Sequence, residues 1–409
     1  MSSNWRKGYP VLVVEAQTLG AVAVIRSLGR AGYTVYSCAP SEDALGFKSN
    51  YSFAYSLSPD YRSQSFIDWL RGYVRKNKIR AIIPSEAFLL AIRPYFQEFS
   101  PLLPYSSSEQ VVYSGMSKAD QVLRLTEGRF AKQTSSHMPP FLLLQDSSIP
   151  ISRQTLQRLG VPIYVKLDGT YAKARQPSRV FKANSLDDAE SQLALAASCY
   201  SKLLVEGHVP GRGVGVFFLL WQSEIKAEFM HIRMHEVPHT GGVSSYRKSW
   251  HHERVRADAL EKLRALDWQG VAMMEYRWDE ARDEFYFMEM NGRFWGSLHL
   301  ALRAGVDFPT DLLDLFHGRE PTPQVKPAKD VSCRHTFPSD LMFVRSVWKD
   351  PSSRVLAKVQ SLLEFFALAL NPSVGSDLWY AGDTKLYWIE LFRFLRNICN
   401  RILKQGRTS

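Results

Sequence analysis

Through the first hundred residues, short apolar runs alternate with amphipathic stretches. "YPVLVVEA" is an unbroken run suited to a strand covered on both faces. "LGAVAVIRSLGRAG" spaces its apolar residues as a helix does and stops at Gly32. "YTVYSCAP" reads as the next strand, "SFIDWLRGYVRKNK" as an amphipathic helix, and "IRAIIPS" as a further strand. This rhythm predicts an open, mostly parallel sheet. The first turn, "EAQTLG", has Gly20 alone where a dinucleotide-binding turn needs three glycines, which argues against a pyrophosphate there.

The pattern changes from about Met116. "SKADQVLRLTEG" reads as a helix, "VPIYVKLDG" as a strand with one lysine inside it, and "DDAESQLALAASCY" as a helix. "SKLLVEGHVPG" and "RGVGVFFLLW" read as partner strands, followed by "EIKAEFMHIRMHEV" and a polar loop, "PHTGGVSSYRKSWHH". After the helix "ADALEKLRAL", the strands "GVAMMEYRWD" and "EFYFMEMNGRF" flank the turn "EARDE" and form an antiparallel hairpin.

The chemistry concentrates on that hairpin. Phe285, Phe287, Met288 and Met290 suit a core, whereas Glu289, Asn291 and Arg293 alternate and share one strand face. Glu275 on the preceding strand lies near the height of Glu289. Two carboxylates and an amide suit a hard cation such as Mg²⁺; a salt-bridge ladder on a solvated face is the equal alternative. Arg293 offers a bidentate contact to a phosphate or carboxylate. Lys166 lies in an apolar strand where an unpaired ammonium is costly, so a phosphate or a structural ion pair must meet it. Lys118 opens a helix, and Glu206 ends an apolar strand at a hinge whose backbone could read an adenine edge. In "RMHEVPHTGGVSSYRKS", read as a substrate-recognition loop, Arg233 would hold a substrate carboxylate. His235 and His239 are more readily structural than catalytic, and Arg247 and Lys248 supply only local positive potential.

The 409 residues are 45% hydrophobic, 22% charged and 12% aromatic, values of a globular chain with room for two or three domains. The net charge of +11 points to anionic partners. From Lys326 onward 13 basic residues face 7 acidic ones, so +6 of that charge falls in the last fifth. Four scattered cysteines, without CxxC or zinc spacing, suit a reduced cytoplasmic protein. No secretory signal or membrane-spanning run is apparent. In "LYWIELFRFLRNICNRILKQ", Trp388, Leu391, Phe392, Leu395, Ile398, Ile402 and Leu403 form one helical stripe. Packing on its own domain or on a sister subunit in a homodimer is favoured over peripheral contact with an anionic membrane. The basic residues form no nucleic-acid-binding module.

The order of these features resembles the ATP-grasp superfamily, especially its carboxylate–amine ligases, from roughly Val11 to Pro309. The most specific portion is "VAMMEYRWD…FYFMEMNGRFWGSLHLALRAGVDFP". The resemblance implies an α/β fold built of α+β subdomains. A Rossmann-like parallel-sheet domain would occupy residues 1–115, a lid 116–206, a catalytic subdomain with the metal site 207–320, and a basic, mostly helical extension 321–409. It further implies ATP with Mg²⁺, or Mn²⁺ in its place. Lys118 and Lys166 would contact phosphates, and Glu206 and Val209 would lie at the adenine hinge. Glu275, Glu289 and Asn291 would hold the metal, and Arg293 would steady the phosphate or acyl phosphate. The implied activity joins a small-molecule carboxylate to an amine through an acyl phosphate, releasing ADP and phosphate. Kinase- or carboxylase-like phosphoryl transfer and a non-enzymatic nucleotide-binding, membrane-docking role are the alternatives. Two departures stand out: "LDGTYAKARQP" has one glycine where the family has a glycine-rich lid, with Lys173 and Arg175 adding charge, and "PGRGVG" lacks an acid for the ribose.

Overall fold

The computed structural model describes residues 3–106, 108–174, 178–321 and 330–405. Arg175 and the side chains of Ile402 and Leu403 lie outside the described residues.

Three sheets organise the chain. The first is parallel, with β1 (Pro10–Val13), β2 (Thr34–Ala39), β3 (Ala54–Leu57) and β4 (Ala81–Ile83) in the order β3-β2-β1-β4. Its leading helix, Leu19–Ala31, is capped by the Thr18 hydroxyl and ended by Gly32 at φ 100°. β3 escapes the sequence pattern because, as an edge strand, it alternates half-buried and exposed residues and carries no apolar run.

The second sheet is antiparallel: β5 (Phe141–Leu144), β6 (Ile163–Leu167), β7 (Arg179–Ala183) and β8 (Leu203–Gly207), in the order β5-β8-β6-β7. Two small cores hold it, one around Ile163 and Val205 and one around Val165 and Leu203. The third sheet has seven strands: β9 (Arg212–Trp221), β10 (Glu224–Val237), β11 (Val243–Ser249), β12 (Gly270–Asp279), β13 (Glu284–Asn291), β14 (Ser332–Arg334) and β15 (Val374–Ser376). Their order is β13-β12-β9-β10-β11-β14-β15.

This topology corrects two expectations. β8 and β9 are not partners: β5 and β6 already occupy both edges of β8, and β10 and β12 both edges of β9. Nor is "PHTGGVSSYRKSWHH" all loop, because Val243–Ser249 pairs with β10 on one side and β14 on the other.

The C-terminal segment adds the helices Leu341–Lys349, Val355–Leu370 and Lys385–Gln405 to β14 and β15. No described helix is long and apolar enough to cross a membrane. A buried junction fastens this segment to the parallel-sheet domain. Arg26 of the first helix donates to Asp383 Oδ2 at 2.8 Å and to the carbonyls of Asp377, Leu378 and Asp383. Ser49 and the Asn50 amide donate to the same Asp383 carboxylate. Arg247 forks onto Asp377 beside it. Arg247 is therefore a buried structural cation, not the local surface potential that the sequence suggested.

Candidate active site

Strand period two puts Phe285, Phe287, Glu289 and Asn291 on one face, yet the two phenylalanines are buried in the core while the acid and amide are half-exposed. A β-bulge resolves the conflict. Glu275 pairs with Glu289, but Tyr276 pairs with Phe287, leaving Met288 as the extra residue on β13. Beyond the bulge the core position passes to Met290, and Glu289 and Asn291 turn to the opposite face from Phe287.

Two lysines converge there. Lys118, the first residue of the helix Lys118–Glu127, lies 2.5 Å from Glu289 Oε2. Gln121, one turn on and fully buried, fixes that helix to β13. Its amide donates to Met290 O at 2.9 Å, and its oxygen accepts from Met290 N at 2.8 Å, as a neighbouring strand would. Lys166 on β6 donates to the bulge carbonyl of Met288 at 3.0 Å and pairs with Glu206 Oε2 at 2.6 Å. Asn291 donates to Glu289 Oε1 at 2.8 Å and accepts from Arg293 at 3.2 Å.

The electrostatics follow from burial and pairing. Burial opposes ionisation of Glu289, but Lys118 and Lys166 outweigh it and hold the carboxyl well below its ordinary range. Burial likewise opposes the Lys118 charge, and Glu289 overcomes it and raises the ammonium. At Glu206 burial dominates, and the carboxyl is raised despite Lys166.

The third acid is reached from across a strand. Arg233 on β10 pairs with Glu275 on β12 at 2.6 Å, although β9 runs between them. Gly213 of β9 makes the crossing: a Cβ there would sit 2.7 Å from Arg233 Cδ and 2.5 Å from Glu236 Oε1. Arg233 also contacts Glu236 at 3.3 Å and the Gly242 carbonyl at 3.1 Å. His235 and His239 point elsewhere. His235 stacks on Phe343 and meets Asp340, while His239 meets Ser346 and Asp350, all in the C-terminal segment.

Glu275 and Glu289 face each other in register, with Asn291 one alternate position on. Each carboxylate is balanced by a cation, Arg233 or Lys118, so the donor set is all oxygen and charge-compensated. Among the described residues no cluster of three His, Cys, Asp or Glu gathers, so a divalent ion here would draw on two acids and an amide. That chemistry fits a hard cation completed by phosphate oxygens and water.

Two cavities lie on neighbouring elements, and of the groups above only Arg293 lines one of them. Val209, just past the end of β8, lines an open one of about 500 Å³ with Met138, Phe141 and Tyr286, three residues before Glu289. The other, about 420 Å³, opens at the carboxyl ends of β1 and β4. That is where the parallel sheet reverses its winding, the usual place for a ligand in such sheets. Glu15, Ser85, Glu86, Ser178 and Arg293 supply its polar lining. Glu15 has φ 52°, and burial raises its carboxyl. Ser178 donates to Glu86 at 2.7 Å. Gly20 belongs to this wall: a Cβ there would meet Trp295 O at 3.0 Å, so the lone glycine serves packing against "GRFWG".

Several solved structures are similar. An ADP complex of N5-carboxyaminoimidazole ribonucleotide synthetase matches over 80% of each chain, with TM-score 0.59 and 14% identity. A biotin carboxylase from Campylobacter jejuni, in a β-γ-ATP complex, matches with TM-score 0.60 and 15% identity over 79% of this chain and 74% of its own. An L-amino acid ligase from Bacillus licheniformis matches with TM-score 0.55 and 12% identity over 78% and 75%. No protein-family model matches the chain, and no curated protein does. With its parallel-sheet domain, antiparallel second sheet and acid-bearing hairpin, the chain has the ATP-grasp fold.

Proposed function

We propose that this protein is an ATP-dependent carboxylate–amine ligase that forms an amide through an acyl phosphate, releasing ADP and phosphate. The observation that carries the reading is that Lys118 meets Glu289 and Lys166 meets the neighbouring Met288 carbonyl, beside the register pair Glu275 and Glu289. Buried acid–lysine pairs of this kind are ready to exchange partners, because a triphosphate satisfies the same ammonium groups. The similar structures with bound ADP or an ATP analogue support a nucleotide in the cleft.

On this reading Lys118 and Lys166 bind the phosphates, and the purine lies against the apolar lining near Val209, beside the Glu206 hinge. Glu275, Glu289 and Asn291 would hold Mg²⁺, which supplies charge neutralisation on the transferring phosphoryl group. The substrate carboxylate, steadied by Arg293, attacks the γ-phosphorus, and the bond to the ADP oxygen breaks. The amine then attacks the acyl carbon and phosphate leaves. The cavity at β1 and β4 suits the amine: Glu15 and Glu86 attract an ammonium, and the raised carboxyl of Glu15 is matched to receiving its proton. Closure by the second sheet keeps water from the acyl phosphate. Arg233, held by Glu275, Glu236 and the Gly242 carbonyl, positions Glu275; the substrate carboxylate falls to Arg293.

Product analysis with MgATP and pooled carboxylates and amines tests the reading. Amine-dependent ADP and phosphate with a new amide mass is the expected result. AMP would overturn it in favour of an adenylate route. Bicarbonate-dependent ADP without an amide would move the assignment to a carboxylase.

A further inference from the structure

The C-terminal helices carry exposed apolar residues that the proposed chemistry does not use. On Val355–Leu370, the residues Val355, Val359, Leu363, Phe366 and Leu370 are all exposed, Val355 at 77% and Leu370 at 85%. At 3.6 residues per turn they occupy about a quarter of the helix circumference, while Ser361 and Phe365 are buried on another side. The helix Lys385–Gln405 repeats the arrangement, burying Leu386 and exposing Trp388, Phe392, Leu395 and Ile398. The expected packing of that stripe against its own domain is not what the structure shows. One ring brings the two helices together: Phe337 lies 6.3 Å from Phe365 and 5.5 Å from Phe394. Trp379 and Trp388, both exposed, stand 6.1 Å apart beside them.

The charge of this segment is predominantly basic. Arg345, Lys349, Arg354, Lys385 and Arg396 are exposed and have no ion-pair partner among the described residues. Few acids of the same segment oppose them, although Asp330 is exposed and Glu364 half-exposed. Asp377 and Asp383 are buried against Arg247 and Arg26, Asp350 meets His239, Glu364 meets His235, and Glu390 meets Arg393.

We propose that this face docks on an anionic lipid surface, with the two helices lying in the headgroup layer. Exposed apolar stripes flanked by unpaired basic residues and paired tryptophans are the composition such a surface takes up. A two-fold contact with a second copy fits less well, because an isologous patch would set the same basic residues against one another.

The test is co-sedimentation of the full chain with vesicles of phosphatidylcholine alone and of phosphatidylcholine mixed with phosphatidylglycerol, with molecular mass in solution measured by light scattering. The chain is expected to bind the mixed vesicles, weakly or not at all the neutral ones, and less as salt rises. Leu363→Asp combined with Phe392→Asp should weaken binding by about tenfold or more. Arg354→Glu with Arg396→Glu, which leaves the stripes intact, should weaken binding to the mixed vesicles. No binding, equal binding to both vesicle types, unchanged binding by the variants, or a dimer abolished by the same substitutions would overturn the proposal.

Discussion

Two sets of buried ion pairs lie in this molecule, and they are built differently. In the cleft, Lys118, Lys166 and Arg233 each meet a carboxylate, and two of those acids, Glu289 and Glu275, keep about a fifth of their side-chain surface open. At the C-terminal junction, Arg26 and Asp383 are closed off from solvent and bound further by three carbonyls, a hydroxyl and an amide. On the proposed reading the lysines of the first set pass to phosphate while a divalent ion takes Glu275 and Glu289, so those charges exchange partners rather than lose them. The second has no replacement partner at hand, and removing one member strands the other. Burial alone therefore does not tell a binding group from a structural one.

Breaking the junction should have the largest effect. Asp383→Ala is expected to cost about 3–5 kcal/mol of stability by urea unfolding, because Arg26 is left buried and unpaired. A change below about 1 kcal/mol would show that water reaches Arg26. In the cleft the balance inverts. Glu289→Gln leaves Lys118 without its carboxylate, but both are partly exposed, so it should lower stability less than Asp383→Ala while lowering magnesium-dependent ATP turnover about 100-fold or more, roughly 2.7 kcal/mol. Wild-type turnover in that variant would remove Glu289 from the chemistry.

Acid should separate the two regions further. Burial depresses His299 to about 3 and His335 to about 4, both packed near Asp377 and Arg247. Each stays neutral in the folded chain but takes a proton once unfolded. Their contribution is therefore complete above the ordinary histidine value of about 6.5 and is lost as pH falls from there toward 4 and 3. The loss approaches about 1.4 kcal/mol per pH unit for each group. Thermal midpoints between pH 7.5 and 4.5 should fall steeply below about 6.5; a flat profile would mean that these imidazoles charge freely in the native state. The smallest effect is expected at Gly213. Gly213→Ala pushes a Cβ against Arg233 and Glu236, costing about 1–2 kcal/mol. It should also shift Arg233 away from Glu275, visible as weakened magnesium dependence of turnover if Glu275 holds the metal.

The sequence announced the site more clearly than the register that builds it. Runs of apolar residues marked β1, β2, β4, β6 and the β12–β13 hairpin because those strands are covered by other layers. The edge strand β3 and the short β15 have too few buried positions to print a pattern, and β14 is buried throughout but reads only Ser332, Cys333 and Arg334. The lysines and acids stood out as charges inside apolar runs. The bulge was legible too, in the spacing of Phe285, Phe287 and Met290, but strict alternation hides it. Gln121 and Gly213 were not legible, since a glutamine one turn into a helix and a glycine in a strand acquire meaning only from elements distant in the chain. The stripe at Trp388 was visible, but its outward direction depends on Phe337 and Phe394, which only the fold brings together.

The Asp383 junction also decides which part of the molecule can move. Arg26, Ser49 and Asn50 fasten the parallel-sheet domain to the segment that carries β14 and β15, and Asp314 draws Arg6 and Tyr33 onto the helix Phe308–Phe316. The two larger bodies are riveted at both ends. The second sheet is held over the cleft mainly by polar contacts, such as Lys166 to Met288, Ser178 to Glu86 and Tyr171 to Asp120. On the proposed reading, the second sheet would be the part released when a triphosphate claims Lys166 from the Met288 carbonyl.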